Sequence, residues 1–357
     1  MSSVPERSPT NRERAEQIVA QRRKRPAVAT RVAVPGGTPL ARSEMLRGAS
    51  QRSPESRPPQ TLLERIEARG GYAPTTTAHQ GRLRIFQPTR RPTMIDELFT
   101  TSWGKVRIKG ALDQGHADVA EAILHTGMHA AELPEGRISV VADPAEIRRV
   151  ARQASGTTFQ AVLEDLMRAL VQIVEPEPLA SVGHLIDHID HFAKHADGSF
   201  MMAPNPLDRR ERHLWTIEFG KVLCRLLEQD LWLYRDPAPI AAMRHGISQA
   251  VARHVLSHRT VPAGGWRLDG LILTVAGPIE GAALRDRRRE LCGVHGDSDA
   301  LRRAGVLIED GRVYRVERKP RLMEHKPETA EHKPGVRSKS LDAAAVSGVS
   351  DSRRQRP

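Results

Sequence analysis

Aromatic residues are scarce in this chain, 4% of 357, and cysteine is nearly absent: Cys224 and Cys292 stand alone. Two cysteines are too few for a disulfide framework or a cysteine-based zinc module. No run approaches the ~18 consecutive apolar residues of a membrane-spanning helix. The first twenty residues lack the apolar stretch of a secretory signal, and a cytoplasmic location is the expectation. Catalytic signatures are missing as well. Gly104-Lys105 and Gly220-Lys221 each run into a valine, so neither opens a phosphate-binding loop. No H-E-x-x-H or G-x-S-x-G occurs. A nickase would need closely spaced metal-binding histidines and a tyrosine nucleophile. The tyrosines are Tyr72, Tyr234 and Tyr314, and His188 and His191 are spaced by two residues. The expectation is a protein that is not an enzyme and carries no cofactor or metal.

What is abundant is positive charge, unevenly placed. Lys and Arg number 55 against 43 Asp and Glu, for a net +12. Residues 1–92 hold 18 basic and 7 acidic side chains, and residues 318–357 hold 10 and 5. The middle, 93–317, holds 27 and 31. A basic chain suggests an acidic partner such as nucleic acid, but the ends carry the excess. The case for DNA therefore rests on patterning in the middle.

The ends are rich in Ser, Pro, Arg and Gly, a composition that buries too little surface to offset ordering entropy. Residues 1–92 read as a disordered basic tail and residues 320–357 as a second. Within the first, Leu62, Leu63 and Ile66 form one short amphipathic stretch, read as a transient helix or a docking segment.

Between the ends, two segments with similar element order emerge, 93–236 and 237–319. In the first, alternation over 103–109 predicts a strand, Val119, Ala120, Ile123 and Leu124 share a helical face, and 138–141 reads as a buried strand. Asp143 and Pro144 suit the start of a helix. A longer helix follows, its stripe running from Phe159 through Leu163, Leu166 and Leu170 to Ile173, with Thr157 and Gln160 at capping-box spacing. In the second, a stripe runs from Ile240 to Val255, interrupted by Gly246. A short strand leads into a helix over 267–275, Gly277-Pro278 breaks it, a basic helix covers 283–291, and Asp297-Ser298 caps another. Asp310-Gly311 between 306–308 and 313–316 is a type I′ hairpin signal. Helix, turn, helix and hairpin is the plan of a winged helix, whose second helix can enter a major groove. The expected fold is α+β, mainly helical: two winged-helix domains flanked by long disordered tails.

Three groups of residues are candidates for chemistry. His184, His188, His191 and His195 fall on one face if helical, with Asp187 nearby, and would then suit a transition metal. The flanking Gly183 and Asp197-Gly198 favour a surface strand or hairpin, in which the four do not converge. Arg285, Arg288 and Arg289 share a helical face, with Arg287 beside them. Arg302, Arg303 and the hairpin's Arg312 extend that patch. Arginine suits bidentate contacts to guanine and phosphate. A solvated basic helix paired with Asp286 and Glu290 is the competing reading. Thr157, Thr158, Gln160 and Arg168 on the first segment's long helix are candidate DNA contacts, the threonines at an N-terminus where the helix dipole favours anions. Glu164 and Asp165 on the same face oppose that role.

Across about 97–319 the chain resembles the plasmid replication initiators of the Rep type. The likeness rests on 183–198 with Trp215 to Phe219 and Leu231 to Tyr234, on 247–258 with Gly265, Trp266 and Leu268, and on 284–289 with 301–306. The break at 293–296 and the long N-terminal tail depart from that family's pattern. The resemblance implies tandem winged helices that bind repeated double-stranded DNA sites (iterons) at an origin. It also implies host partners, a helicase and a DnaA-type initiator, and a homodimer when not initiating. A winged-helix transcriptional or partition regulator and, further off, an enzyme built on the histidines are the alternatives.

Overall fold

Two hydrophobic cores, one on each side of residue 236, organise the chain in the computed structural model, which describes residues 61–204 and 210–316. Residues 1–60 and 317–357, where most of both expected tails fall, lie outside the described residues.

The stretch 61–92, expected within the tail, is folded. Thr61 and Glu64 form a reciprocal capping box that starts α1 (Leu62–Glu67) and turns Leu62 and Ile66 into the first core. Then come β1 (Thr76–Thr77) and α2 (Ala78–Arg82), with Leu83, Ile85 and Phe86 buried beyond. A six-residue helix is too short to hold itself in water. Its stability comes from distant partners that local composition does not reveal.

The first core lies between helices and two antiparallel sheets. One sheet has the order β2-β3-β6-β7, from β2 (Ile95–Thr101), β3 (Gly104–Gly110), β6 (Leu170–Glu175) and β7 (Ser181–Gly183). The other has the order β4-β5-β11-β8, from β4 (Met128–Glu132), β5 (Ile138–Ala142), β11 (Trp215–Phe219) and β8 (Ile186–Asp190). In β3, Val106 and Ile108 point inward while Lys105, Arg107 and Lys109 face out, the two-residue period of a half-buried strand. The helices are α3 (Gln114–Thr126), α4 (Pro144–Val150), α5 (Gly156–Arg168) and α6 (Lys221–Gln229). A small arm adds β9 (Met202–Pro204) and β10 (Glu211–His213), and β12 (Trp232–Leu233) pairs with β1.

The described residues are 41% helical and 27% strand, a mixed α/β fold rather than a mainly helical one. The helix expected from Phe159 to Ile173 shows why. It starts at the N-cap Ser155, not Thr157, and stops at Arg168. From Leu170 the chain is strand β6, with Val171 and Ile173 inward and Leu170 and Gln172 outward, laddered to β3. β-branched residues favour this pleated surface, and pairing with β3 overrides the helical spacing. β5, between α3 and α4, joins a different sheet from β6 and β7.

The second core is built from α7 (Ala238–Ala241), α8 (Gly246–Ser257), α9 (Leu268–Ala276), α10 (Gly281–Cys292) and α11 (Ser298–Ala304). Its sheet has the order β13-β15-β14, from β13 (Trp266–Arg267), β14 (Val306–Glu309) and β15 (Arg312–Arg315). The turn between β14 and β15 places Asp310 at φ 49° and Gly311 at φ 68°, the paired positive angles of a type I′ turn. The stripe from Ile240 to Val255 is two helices rather than one. Residues 242–245 break it, and Asp297 accepts from the backbone N–H groups of Arg244 and His245 at 3.0 and 2.8 Å.

Residues of the 78–92 stretch stitch the cores together. Arg82 donates to the Ser257 carbonyl at 2.6 Å and Arg84 to the Ala276 carbonyl at 2.9 Å. α2 packs directly on α8 at Gly81, whose neighbours are the Arg253 carbonyl and Ser257.

Candidate nucleic-acid interface

Leu284 and Leu291 turn α10 toward the second core and leave its outer face to arginine. Arg285, Arg288 and Arg289 are exposed and Arg287 is half-buried. Three of the four meet acids. Arg287 Nη1 lies 2.8 Å from Glu290 and Arg289 Nη1 3.2 Å from Asp286, both pairs within the helix. Arg288 reaches across to α9, donating from Nε to one carboxylate oxygen of Asp269 and from Nη2 to the other. The Arg288 guanidinium holds the Asp269 carboxyl below its ordinary range through those hydrogen bonds. Arg285 has no ion pair among the described residues. The two intrahelical pairs are single surface contacts that contribute little to stability, whereas Arg288 engages both oxygens of one carboxylate on a neighbouring helix. The sequence reading anticipated Asp286 and Glu290. It missed Asp269, nineteen residues from Arg288, because only the packing of α9 on α10 brings them together.

The rest of the predicted patch divides. Arg302 and Arg303 are exposed on the last turns of α11, without an ion pair among the described residues. Arg312, beside the hairpin turn, donates to the Gly264 carbonyl at 3.1 Å. Its guanidinium thus braces the loop before β13 while remaining exposed.

In the first unit, Thr157 and Thr158 are exposed at the start of α5, and Thr158 Oγ1 sits 2.7 Å from Ser155 Oγ. Gln160 is half-buried. Arg168 pairs with Glu164 at 2.9 Å, one turn back on the same helix. Asp165 faces His116 Nε2 at 3.4 Å. The acids anticipated on this helix face are therefore engaged within the fold, and one of them holds the helix's candidate cation.

The four histidines are spread along the chain's path rather than gathered. His184 precedes β8 and its Nδ1 lies 3.0 Å from the Ala169 carbonyl. His188 is in β8 and exposed, and His191 stacks on Trp215 with ring centroids 4.5 Å apart. His195 lies in the arm, its N–H bonded to the Ser199 carbonyl. Among the described residues no three His, Cys, Asp or Glu side chains are grouped to hold a metal. A groove of about 790 Å³ runs past His188, with Asp187, Asp190 and Glu218 on its walls. Arg137 spans it, 3.1 Å from Asp187 and 3.9 Å from Glu218. Lys194 also lines it, so the groove carries three acids against two bases. No described helix is long and apolar enough to cross a membrane.

No family model matches the chain, and no curated protein matches it in sequence. Among solved structures it overlaps the crystal structure of domains 2–3 of RctB. That overlap covers 65% of this chain and 94% of the other, at 12% identity and a TM-score of 0.37. A TM-score that low carries no argument about this chain.

Proposed function

We propose that the chain is a duplex-DNA-binding protein of the replication-initiator kind, without catalytic activity of its own, and that its second unit does most of the base reading. The observation that carries this is the arginine face of α10. It lies within a stretch, 240–316, whose twelve basic side chains are all arginine, against eight acidic ones. Arginine's rigid fork matches guanine and phosphate, where lysine offers only a point charge. Helix α8, strand β13, helices α9, α10 and α11 and then the β14–β15 hairpin, with sheet order β13-β15-β14, support a winged-helix reading of this unit with one extra helix, α11, before the hairpin. In that plan α10 enters the groove and Arg312 meets phosphate. The first unit supports the role less, since 93–239 holds 22 acidic against 15 basic side chains. Contacts to a second copy or to host replication proteins fit it better.

Full-length protein selected against a random duplex library tests the DNA reading. The expected result is a shared motif bound at least about tenfold more tightly than random duplex, in keeping with one good bidentate contact. Recovery of no motif overturns base reading. Maintenance of a plasmid carrying the gene and its flanking DNA, in a permissive host that cannot replicate the vector, separates an initiator from a winged-helix regulator. A chain that binds its motif but never sustains the plasmid is a regulator.

A further inference from the structure

Asp269 and Arg288 form a fork-to-fork pair between two helices that no local sequence rule would join. A guanidinium has five N–H donors arranged as two forks: one along the side, from Nε and Nη2, and one at the end, from Nη1 and Nη2. Asp269 occupies the side fork, taking one bond at each carboxylate oxygen. The end fork has no other partner among the described residues. The other α10 arginines differ. Arg287 and Arg289 each make one contact through Nη1 to an acid on their own helix, and Arg285 makes none. Arg288 is therefore the one side chain of this face whose guanidinium plane is fixed by two bonds to a neighbouring helix. An end fork held in a fixed plane is the geometry that guanine N7 and O6 accept.

We propose that Asp269 is a positioning residue for base recognition: it holds Arg288 with the end fork outward and so sets a guanine preference at one position of the recognised duplex. The inference rests on the DNA-binding reading above. If this face meets DNA, the Asp269 carboxylate repels phosphate, which penalises every sequence that does not engage Arg288. Removing that charge therefore lowers preference while raising affinity for random duplex, whereas loss of a phosphate-contacting arginine lowers affinity for all sequences alike.

The test is library selection followed by titration with the full-length wild type, Asp269→Asn, Asp269→Ala, Arg288→Ala and Arg288→Lys. The expected wild-type motif contains a guanine whose replacement weakens binding roughly tenfold or more. Asp269→Asn and Asp269→Ala should retain binding, bind random duplex at least as tightly as wild type, and lose most of the preference at that base alone. Arg288→Lys should lose it too, because an ammonium has no fork. The pair is exposed, so all four variants should unfold at the wild-type denaturant midpoint, a readout that keeps misfolding apart from lost preference. If the wild type selects a motif and the Asp269 variants select the same one with undiminished preference, Asp269 has no positioning role. If the wild type selects nothing, the DNA reading falls first and this inference with it.

Discussion

Arg253 Nη2 lies 2.7 Å from Asp118 Oδ1, both side chains buried, and the pair joins α8 of the second core to α3 of the first. The same guanidinium donates from Nε to Glu121 at 3.1 Å and from Nη1 to Gln114 at 2.7 Å. Arg235 adds a second cation to Glu121 at 2.5 Å, and Arg90 a second to Asp118 at 3.3 Å. Burial pushes the Glu121 carboxyl up, but Arg235 and Arg253 outweigh it and hold the group below its ordinary range. A buried ionic lattice thus joins the two cores. Such a contact is directional: it specifies one relative placement of the units.

Removing one partner from that lattice leaves buried carboxylates short of a cation, where burial already raises the Asp118 carboxyl above its ordinary range. Arg253→Met should cost about 3–5 kcal/mol in chemical unfolding. Arg253→Lys should cost less, since it keeps the charge, but still be measurable because one ammonium cannot serve three acceptors on a fixed plane. Methionine and lysine variants with wild-type midpoints would show that the lattice does not hold the units together.

Beside the lattice sits an acid-sensitive pair. His254 Nε2 and His258 Nε2 are 3.2 Å apart, and the His258 ring lies between Trp103 of the first unit and Trp266 of the second, at 5.0 and 5.4 Å. Burial, then His258 and Arg82 nearby, push His254 down to about 3. Burial, Arg82 and Arg315 push His258 down to about 4. Both stay neutral in the fold while the unfolded chain takes up protons near the ordinary 6.5. The unfolded state then binds more protons in between, so stability falls as pH drops below about 6.5, the His258 contribution levelling off below about 4 and the His254 contribution only below about 3. Each histidine contributes at most ~1.4 kcal/mol per pH unit. Urea midpoints of His254→Gln should decline less steeply over that window than the wild type's. Parallel curves would remove the pair from the acid response.

Two glycines test the stitching independently. A Cβ on Gly246 would lie 2.4–2.6 Å from backbone atoms of Thr89, so Gly246→Ala must force the 78–92 stretch off α8. The expected cost is about 1–3 kcal/mol, as for overpacking. Gly156, at the start of α5, has nothing within 4 Å of the same position. Gly156→Ala should be neutral or stabilising by up to about 1 kcal/mol. Equal thermal shifts in the two variants would contradict the close approach at Thr89.

Much of the second unit was legible because its signals are local. Asp310-Gly311 dictates its own turn, and Gly277-Pro278 ends α9 by backbone geometry alone. The arginine face was legible as well, since Leu284 and Leu291 at helical spacing leave one place for the arginines. What stayed hidden depends on distant partners. α1 and the residues around Ile85 are short, polar-flanked pieces made stable by a core assembled from elsewhere. Leu170 to Ile173 carry a spacing that suits either helix or strand until β3 is beside them. Asp269 is an unremarkable helix residue in sequence. The Arg253 lattice draws on positions from Arg90 to Arg253, and nothing in the spacing of Asp118 and Glu121 says that both are buried.

Arg302 and Arg303 are exposed and without an ion pair among the described residues, so each is available to displace a counterion from DNA. Arg168 is already paired with Glu164 on a helix that also carries Asp165, in a unit with an acidic excess. Replacing Arg302 or Arg303 with Ala should weaken binding to cognate and random duplex alike. The slope of log affinity against log salt should become shallower by about one for each. Arg168→Ala should leave both affinities and the slope within error. Anisotropy titrations at several salt concentrations decide it. An Arg168→Ala slope change equal to that of Arg302→Ala would place α5 on the phosphate backbone and bring Thr157 and Thr158 back as contacts. A flat response from Arg302 and Arg303 would confine the interface to α10 and the hairpin.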